Sequence, residues 1–211
     1  KPRSAQSGQT FTAIDPATGQ RLANVTACGD EEVDAAVRNA RRVFEAGTWS
    51  ARSPSERKHV LLRLAELIMT HREELALLDS LNMGKPVMDA YNIDVPGAAG
   101  VFRWYAEAID KLYDQVAPSA PNVLATITRE ALGVVAAVVP WNFPLDMAAW
   151  KLAPALAAGN SVILKPAEQS PFSALRLAEL ALEAGLPAGV LMAVLGSMRW
   201  QVSGPGAVRR S

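Results

Sequence analysis

One cysteine, Cys28, and two histidines, His59 and His71, are all that this 211-residue chain holds of those two types. A lone thiol excludes an intramolecular disulfide and suits a reducing compartment. No basic residue or histidine sits near Cys28 in sequence, so an inert, half-buried thiol is expected rather than a nucleophile. The histidines stand twelve positions apart with no HExxH-type spacing around them, so they are read as surface residues and no metal site is expected. Net charge is missing as well: 21 basic residues offset 21 acidic ones. That removes the electrostatic case for nucleic acid or an anionic membrane. Aromatic residues are scarce, and none is interleaved with basic clusters, which argues against single-strand binding. The best apolar run is cut by Pro140, Asn142 and Pro144, well short of the ~20 residues that span a bilayer. The first residues, KPRSAQSGQT, hold no secretory apolar core. A soluble, cytoplasmic protein without nucleic-acid or membrane partners is the expectation. The first residue is Lys1 rather than Met, so the natural N-terminus is expected to lie further upstream. No G-x-G-x-x-G follows an apolar run, which disfavours an ordinary dinucleotide-binding dehydrogenase.

What is present is core: half of the residues are apolar. Residues 1–10 are polar and expected to be mobile. Residues 11–27 alternate around Asp15-Pro16-Ala17-Thr18-Gly19, the pattern of a strand, a turn and a strand. Asp30 is read as the N-cap of a helix that buries Val33, Ala36, Val37, Ala40 and Phe44 and stops at Gly47. Ser53-Pro54-Ser55-Glu56 is a capping box with proline at the first helical position. The helix it opens is expected to run to about Ser80. Gly84, in Asn82-Met83-Gly84-Lys85-Pro86, is a left-handed cap. Residues 87–113 read as a further helix, bent near Pro96-Gly97, with Phe102, Trp104, Tyr105, Ile109 and Leu112 as its large apolar residues, expected in the core. Residues 116–131 change to prolines and β-branched types. They form either a projecting strand that pairs with another subunit or a local hairpin.

The densest information lies in residues 133–168, GVVAAVVPWNFPLDMAAWKLAPALAAGNSVILKPAE. Two apolar runs each end in polar residues and enclose a helical pattern. With a helix from Ser170-Pro171 to Gly185 and a third strand over residues 190–195, the order is β-α-β-α-β. The fold class expected is α/β, an incomplete doubly wound (Rossmann-like) parallel sheet with flanking helices and a projecting β arm. Ligands bind such sheets beyond the carboxyl ends of the strands. Asn142 stands there on a turn between two prolines, and its amide offers two donors. It suits either an oxyanion or its own turn. Trp141 suits either a cofactor face or the core. Lys165 and Glu168 suit either a ribose diol, where the carboxylate would favour NAD over NADP, or an ion pair in solvent.

The residues PWNFP, LAPALAAGN and KPAE, with DPATGQRLA, WSARSPSERKHVLLRLAELI, NMGKPVMDA and REALGVVAAVVPWNFP, together resemble the NAD(P)-dependent aldehyde dehydrogenase superfamily over residues 11–195. Members that oxidise amino-aldehydes such as γ-glutamyl-γ-aminobutyraldehyde look most similar. The resemblance implies NAD as cofactor, an aldehyde substrate and a homo-oligomer. It implies that Asn142 is the oxyanion-stabilising asparagine, that Val139 and Trp141 line the cofactor cleft, and that Lys165 and Glu168 hold the adenosine ribose. Asp94 and the Gln169 backbone resemble a monovalent-cation site of some members. Residues 116–131 resemble the oligomerisation arm. In the implied reaction a cysteine thiolate attacks the aldehyde, hydride passes to the nicotinamide, and a glutamate activates the water that frees the acid.

Departures from the family pattern are equally informative. The ELGGK-like segment with the family's glutamate and the GQxC-like segment with its cysteine have no counterpart in these 211 residues, and Cys28 stands in neither context. From Gly196 the pattern gives way to SMRWQVSGPGAVRRS, where no further element is expected. A truncated member, inactive alone, is therefore expected; a shifted reading frame near Gly196 is one account of it, which the gene sequence tests. The alternative is a non-enzymatic fragment that binds NAD or another subunit. The expected division is residues 1–115 as the N-terminal part of the cofactor-binding domain, 116–131 as the arm, 132–196 as the βαβαβ half of the NAD-binding domain and 197–211 as an aberrant tail, with no catalytic domain.

Overall fold

A computed structural model describes residues 8–196, together with the backbone of residues 200–202 and 208–210. Strands β1 (Thr10–Ile14) and β2 (Arg21–Thr26) pair antiparallel. Asp15 makes their turn: its carboxylate accepts from the Ala17 N–H at 2.9 Å and its carbonyl from the Gly19 N–H at 2.8 Å. Thr10, placed in the mobile lead by its polar neighbours, is instead the first residue of β1, because pairing with Thr26 holds it. The rest of that lead, residues 1–7, lies outside the described residues.

Helix α1 (Asp30–Glu45) follows. Its N-cap is Gly29 and not Asp30; Glu32 reaches back to accept from the Gly29 N–H at 2.7 Å. It buries Val33, Ala36, Ala40 and Val43. Val37 and Phe44, expected on that face, are pushed outward by the 100° step between residues, and Val43 takes the inward place. Helix α2 (Pro54–Thr70) starts with the expected capping box, with Ser53 and Glu56 exchanging hydrogen bonds. It ends ten residues earlier than expected. His71 leaves the helical region at φ −97°, ψ 26°, and α3 (Arg72–Met83) begins after it. Thr70 marks the joint by donating its hydroxyl to the Glu66 carbonyl at 3.0 Å, a contact that competes with the helix ladder. Gly84 ends α3 at φ 77°, as expected, and its Cα lies too near Pro16 for a side chain to fit freely.

Helix α4 (Val87–Asp89) passes through a π turn, Ala90–Asp94, into α5 (Val95–Ala108). The irregularity precedes Pro96 rather than falling on it. Pro96 supplies no N–H to the turn before it, and the Val95 N–H reaches five residues back to Ala90. Phe102 is fully buried, but Trp104 is 63% exposed and Leu112 is 70% exposed. The expected aromatic core of this helix is thus split between two faces, and the helix stops short of Leu112.

Strands β3 (Gln115–Ala117) and β4 (Ala125–Ile127) form a two-stranded antiparallel ribbon of their own. It is a local hairpin whose apolar side chains, Val116, Leu124 and Ile127, stay exposed. Strands β5 (Val134–Val138), β6 (Ser161–Lys165) and β7 (Leu191–Ala193) form a parallel sheet in that order. Helices α6 (Pro144–Ala157) and α7 (Phe172–Glu183) make the two crossovers. Every residue of β6 is buried. Period-two alternation sends Val162 and Leu164 to the large core with α2, α5, α6 and α7, and Ile163 to a smaller one with α1. Helices therefore cover both faces, as a parallel sheet requires. Asn160 sets the register: its side chain accepts from the Gly133 N–H at 3.0 Å and donates to the Ala155 carbonyl at 3.0 Å.

No element was expected after Gly196, yet β8 (Trp200–Val202) and β9 (Val208–Arg210) pair antiparallel, apart from the parallel sheet. Strands of three residues are too short to leave a period in the sequence. The remaining tail residues, 197–199, 203–207 and 211, lie outside the described residues. No described helix is long and apolar enough to cross a membrane.

Candidate functional site

Register decides what meets at the sheet edge. Val138, the last residue of β5, is paired with Lys165, the last of β6. The Val139 N–H extends that pairing by donating to the Lys165 carbonyl at 3.0 Å. The turn 140–143 and the loop 166–169 therefore leave the sheet side by side, at its carboxyl edge.

Lys165 is 8% exposed. Its Nζ donates to Glu168 Oε1 at 2.7 Å and to the Pro166 carbonyl at 3.1 Å. An ammonium has three donors, so one remains for a ligand. Glu168 keeps about a third of its side-chain surface open, which leaves one carboxylate oxygen to accept. An acceptor and a donor side by side fit the two hydroxyls of a ribose, so the residues present suit an adenosine ribose here. The lysine of this pair is held in the protein rather than in solvent.

Val139 is buried in the large core. It supports the floor of the site and presents little surface to it. Trp141 is half exposed, and Asn142 is exposed. Among the described residues, none hydrogen-bonds to the Asn142 side chain, so its two amide donors are available. The turn-capping alternative is not what the structure shows.

Asp94 does not stand free for a cation: its carboxylate pairs with Lys85. Among the described residues no group of three potential metal ligands exists. His59 is exposed and bonds the Ser55 carbonyl, while His71 pairs with Glu74 at 2.9 Å. Cys28 is half-buried, and its Sγ accepts from the Leu195 N–H at 3.4 Å.

Sequence reasoning missed two residues near the site. One is Lys85, whose ammonium lies 3.7 Å from the centre of the Phe143 ring. The other is Asp79, fully buried on α3. Both fall in a stretch legible only as the end of a helix. Burial raises the Asp79 pKa to about 7, and neighbouring Asp94 adds to the rise. The Ser173 hydroxyl, the Leu145 N–H and Lys85 oppose it, but neither carboxyl oxygen closes a well-formed hydrogen bond with the protein. Asp146 is shifted in the same direction, by burial first and Asp94 second. An acid with a folded pKa near 7 and an unfolded one near 3.9 binds a proton on folding between those values. Stability should therefore fall as pH rises from about 4 to about 7, by at most about 1.4 kcal/mol per unit from this group. Urea midpoints across that range should show the slope, and Asp79→Asn should flatten it; an unchanged slope would place the carboxyl elsewhere on the scale.

A three-stranded parallel sheet covered by helices on both faces is part of a doubly wound α/β fold, here with a lysine–glutamate pair and an asparagine turn at its carboxyl edge. The aldehyde dehydrogenase family model matches residues 3–202. The chain is 56% identical over 192 residues to the NADP/NAD-dependent aldehyde dehydrogenase PuuC of Escherichia coli K12, covering 91% of this chain and 39% of that protein. Among solved structures, the γ-glutamyl-γ-aminobutyraldehyde dehydrogenase of Burkholderia cenocepacia J2315 superposes with a TM-score of 0.92 at 54% identity, over 93% of this chain and 40% of that one. An indole-3-acetaldehyde dehydrogenase complexed with NAD+ gives 0.92 at 52% identity, with the same coverage. This chain belongs to the aldehyde dehydrogenase family, and it spans about two fifths of the length of these relatives.

Proposed function

We propose that these residues form the nucleotide-binding part of an NAD-dependent aldehyde dehydrogenase, which converts an aldehyde, NAD+ and water to a carboxylic acid and NADH. The observation that carries this reading is the Lys165–Glu168 pair, buried at its lysine end and open at its carboxylate, at the carboxyl edge of the sheet. Bound NAD would supply the hydride acceptor. Lys165 and Glu168 would hold its adenosine ribose, Trp141 would form the adjoining wall, and Val139 would support the site from the core beneath. Asn142 would donate to the oxygen that gains charge when the aldehyde carbon is attacked.

Glu168 gives the reading a direct test. A carboxylate at the ribose repels a 2′-phosphate, although the PuuC relative carries both NADP and NAD in its name. Glu168→Gln should lower the affinity for NAD and raise that for NADP, narrowing the ratio between them in parallel titrations. A ratio that does not move would remove Glu168 from the ribose.

An amino-aldehyde is the substrate class this reading favours, in keeping with the name of the B. cenocepacia relative, and polyamine breakdown is the role it favours. Neither the family's cysteine nor its glutamate segment occurs in these 211 residues, so the chain alone is proposed to be inactive; NADH formed from an aldehyde by the purified chain would refute that. The exposed apolar ribbon of β3 and β4 supports a homo-oligomer, which sedimentation would register as a dimer or tetramer. Cys28, unpaired, fits the cytoplasm.

A further inference from the structure

The turn that carries Asn142 is short of directed contacts. Pro140 has no N–H, and the N–H groups of Trp141, Asn142 and Phe143 donate to no other described residue. Hydrogen bonds close the turn only at its margins, from the Val139 N–H to the Lys165 carbonyl and from the Met147 N–H to the Phe143 carbonyl. The prolines limit the backbone angles, but they do not fix where the turn stands against the body of the protein. One contact does. The Lys85 ammonium sits 3.7 Å from the centre of the Phe143 ring, within reach of the ring's negative face.

Lys85 is itself held from three sides. Gly84 brings the chain out of α3 through a left-handed backbone at φ 77°. The Lys85 carbonyl accepts from the Ser80 hydroxyl at 2.8 Å. Its ammonium pairs with the buried carboxylate of Asp94, the last residue of the π turn. Only 14% of the lysine side chain is exposed. A partly desolvated cation binds an aromatic face more strongly than a solvated one. Asp79 and Asp146 also feel this charge, so one ammonium stands among three carboxyl groups and turns its remaining surface to the ring.

We propose that Lys85 is a positioning residue for Asn142, acting through the ring of Phe143. The chain of contacts is Asp94 to Lys85, Lys85 to Phe143, and Phe143 through one peptide bond to Asn142. The importance of this device for catalysis rests on the reading of Asn142 as the oxyanion donor; the device itself does not. It sets the asparagine amide in place before any ligand arrives, which is how a preorganised donor stabilises developing charge.

The test is a nitrogen–proton correlation spectrum of the asparagine-labelled chain without nucleotide, with the Asn142 side-chain amide identified by its loss in Asn142→Ala. Phe143→Leu removes the ring at a surface-exposed position. Lys85→Met combined with Asp94→Asn removes the cation together with the carboxylate that pairs with it. In both, the Asn142 amide should lose its distinct shift and move to the position of free asparagine side chains. Lys85→Arg, which keeps a cation over the ring, should restore the native position. An Asn142 amide unmoved by either of the first two variants, or lost equally in Lys85→Arg, overturns the proposal. Because no nucleotide is present, failure of NAD to bind would refute the proposed function and leave this result untouched.

Discussion

Asn142→Ala is expected to lower kcat by about 10²- to 10³-fold in a chimera that joins residues 1–195 to the remaining length of a matched relative. The expected loss falls on kcat and kcat/KM alike, because a donor aimed at the oxyanion is used only in the transition state. Asn142 is exposed, and its side chain bonds to no other described residue, so removing it should leave the urea midpoint within about 0.5 kcal/mol of the parent. Steady-state rates and melting of the same samples separate the two effects. A fall in stability that matched the fall in rate would make Asn142 a structural residue; an unchanged rate would remove it from the oxyanion.

The second large effect is on stability. Phe102→Ala should cost about 3–5 kcal/mol. Phe102 is fully buried on α5 and belongs to the large core shared with α2 and α6. Trp104, two residues along, is the control: it is mostly exposed, its ring meets Tyr105 edge-on at 4.7 Å, and Trp104→Ala should cost about 1 kcal/mol at most. Folded domains are stable by only about 5–15 kcal/mol, so the first variant should melt at a markedly lower urea concentration while the second stays near the parent. Equal losses would mean that α5 packs with a different face inward.

Several features of this protein were legible because their causes are local. The capping box at Ser53 and Glu56, the left-handed cap at Gly84 and the Asp15 turn each lie within a few residues. The apolar runs of β5 and β6 end where their composition changes. Other features depend on distant partners and leave no local trace. Nothing near His71 breaks the apolar stripe that runs from α2 into α3; the joint comes from Thr70 and Glu66 bonding within the helix. Phe102 and Trp104 stand two residues apart on α5, about 200° around the helix, so Phe102 faces in while Trp104 faces out. Asn142, Lys165 and Glu168 could be proposed from sequence because they stand at or beyond the ends of strands. Lys85 escaped notice because its partner Phe143 lies 58 positions away. Asp79 escaped because a carboxylate on a helix is usually a surface residue.

Calorimetric titration of the 211-residue chain with NAD tests the central claim most directly. One saturable site is expected, with affinity reduced at least tenfold by Lys165→Met, the loss of about 1.4 kcal/mol of binding free energy. No saturable heat from the folded chain, or an affinity that Lys165→Met leaves intact, would contradict the assignment of this sheet edge to the nucleotide.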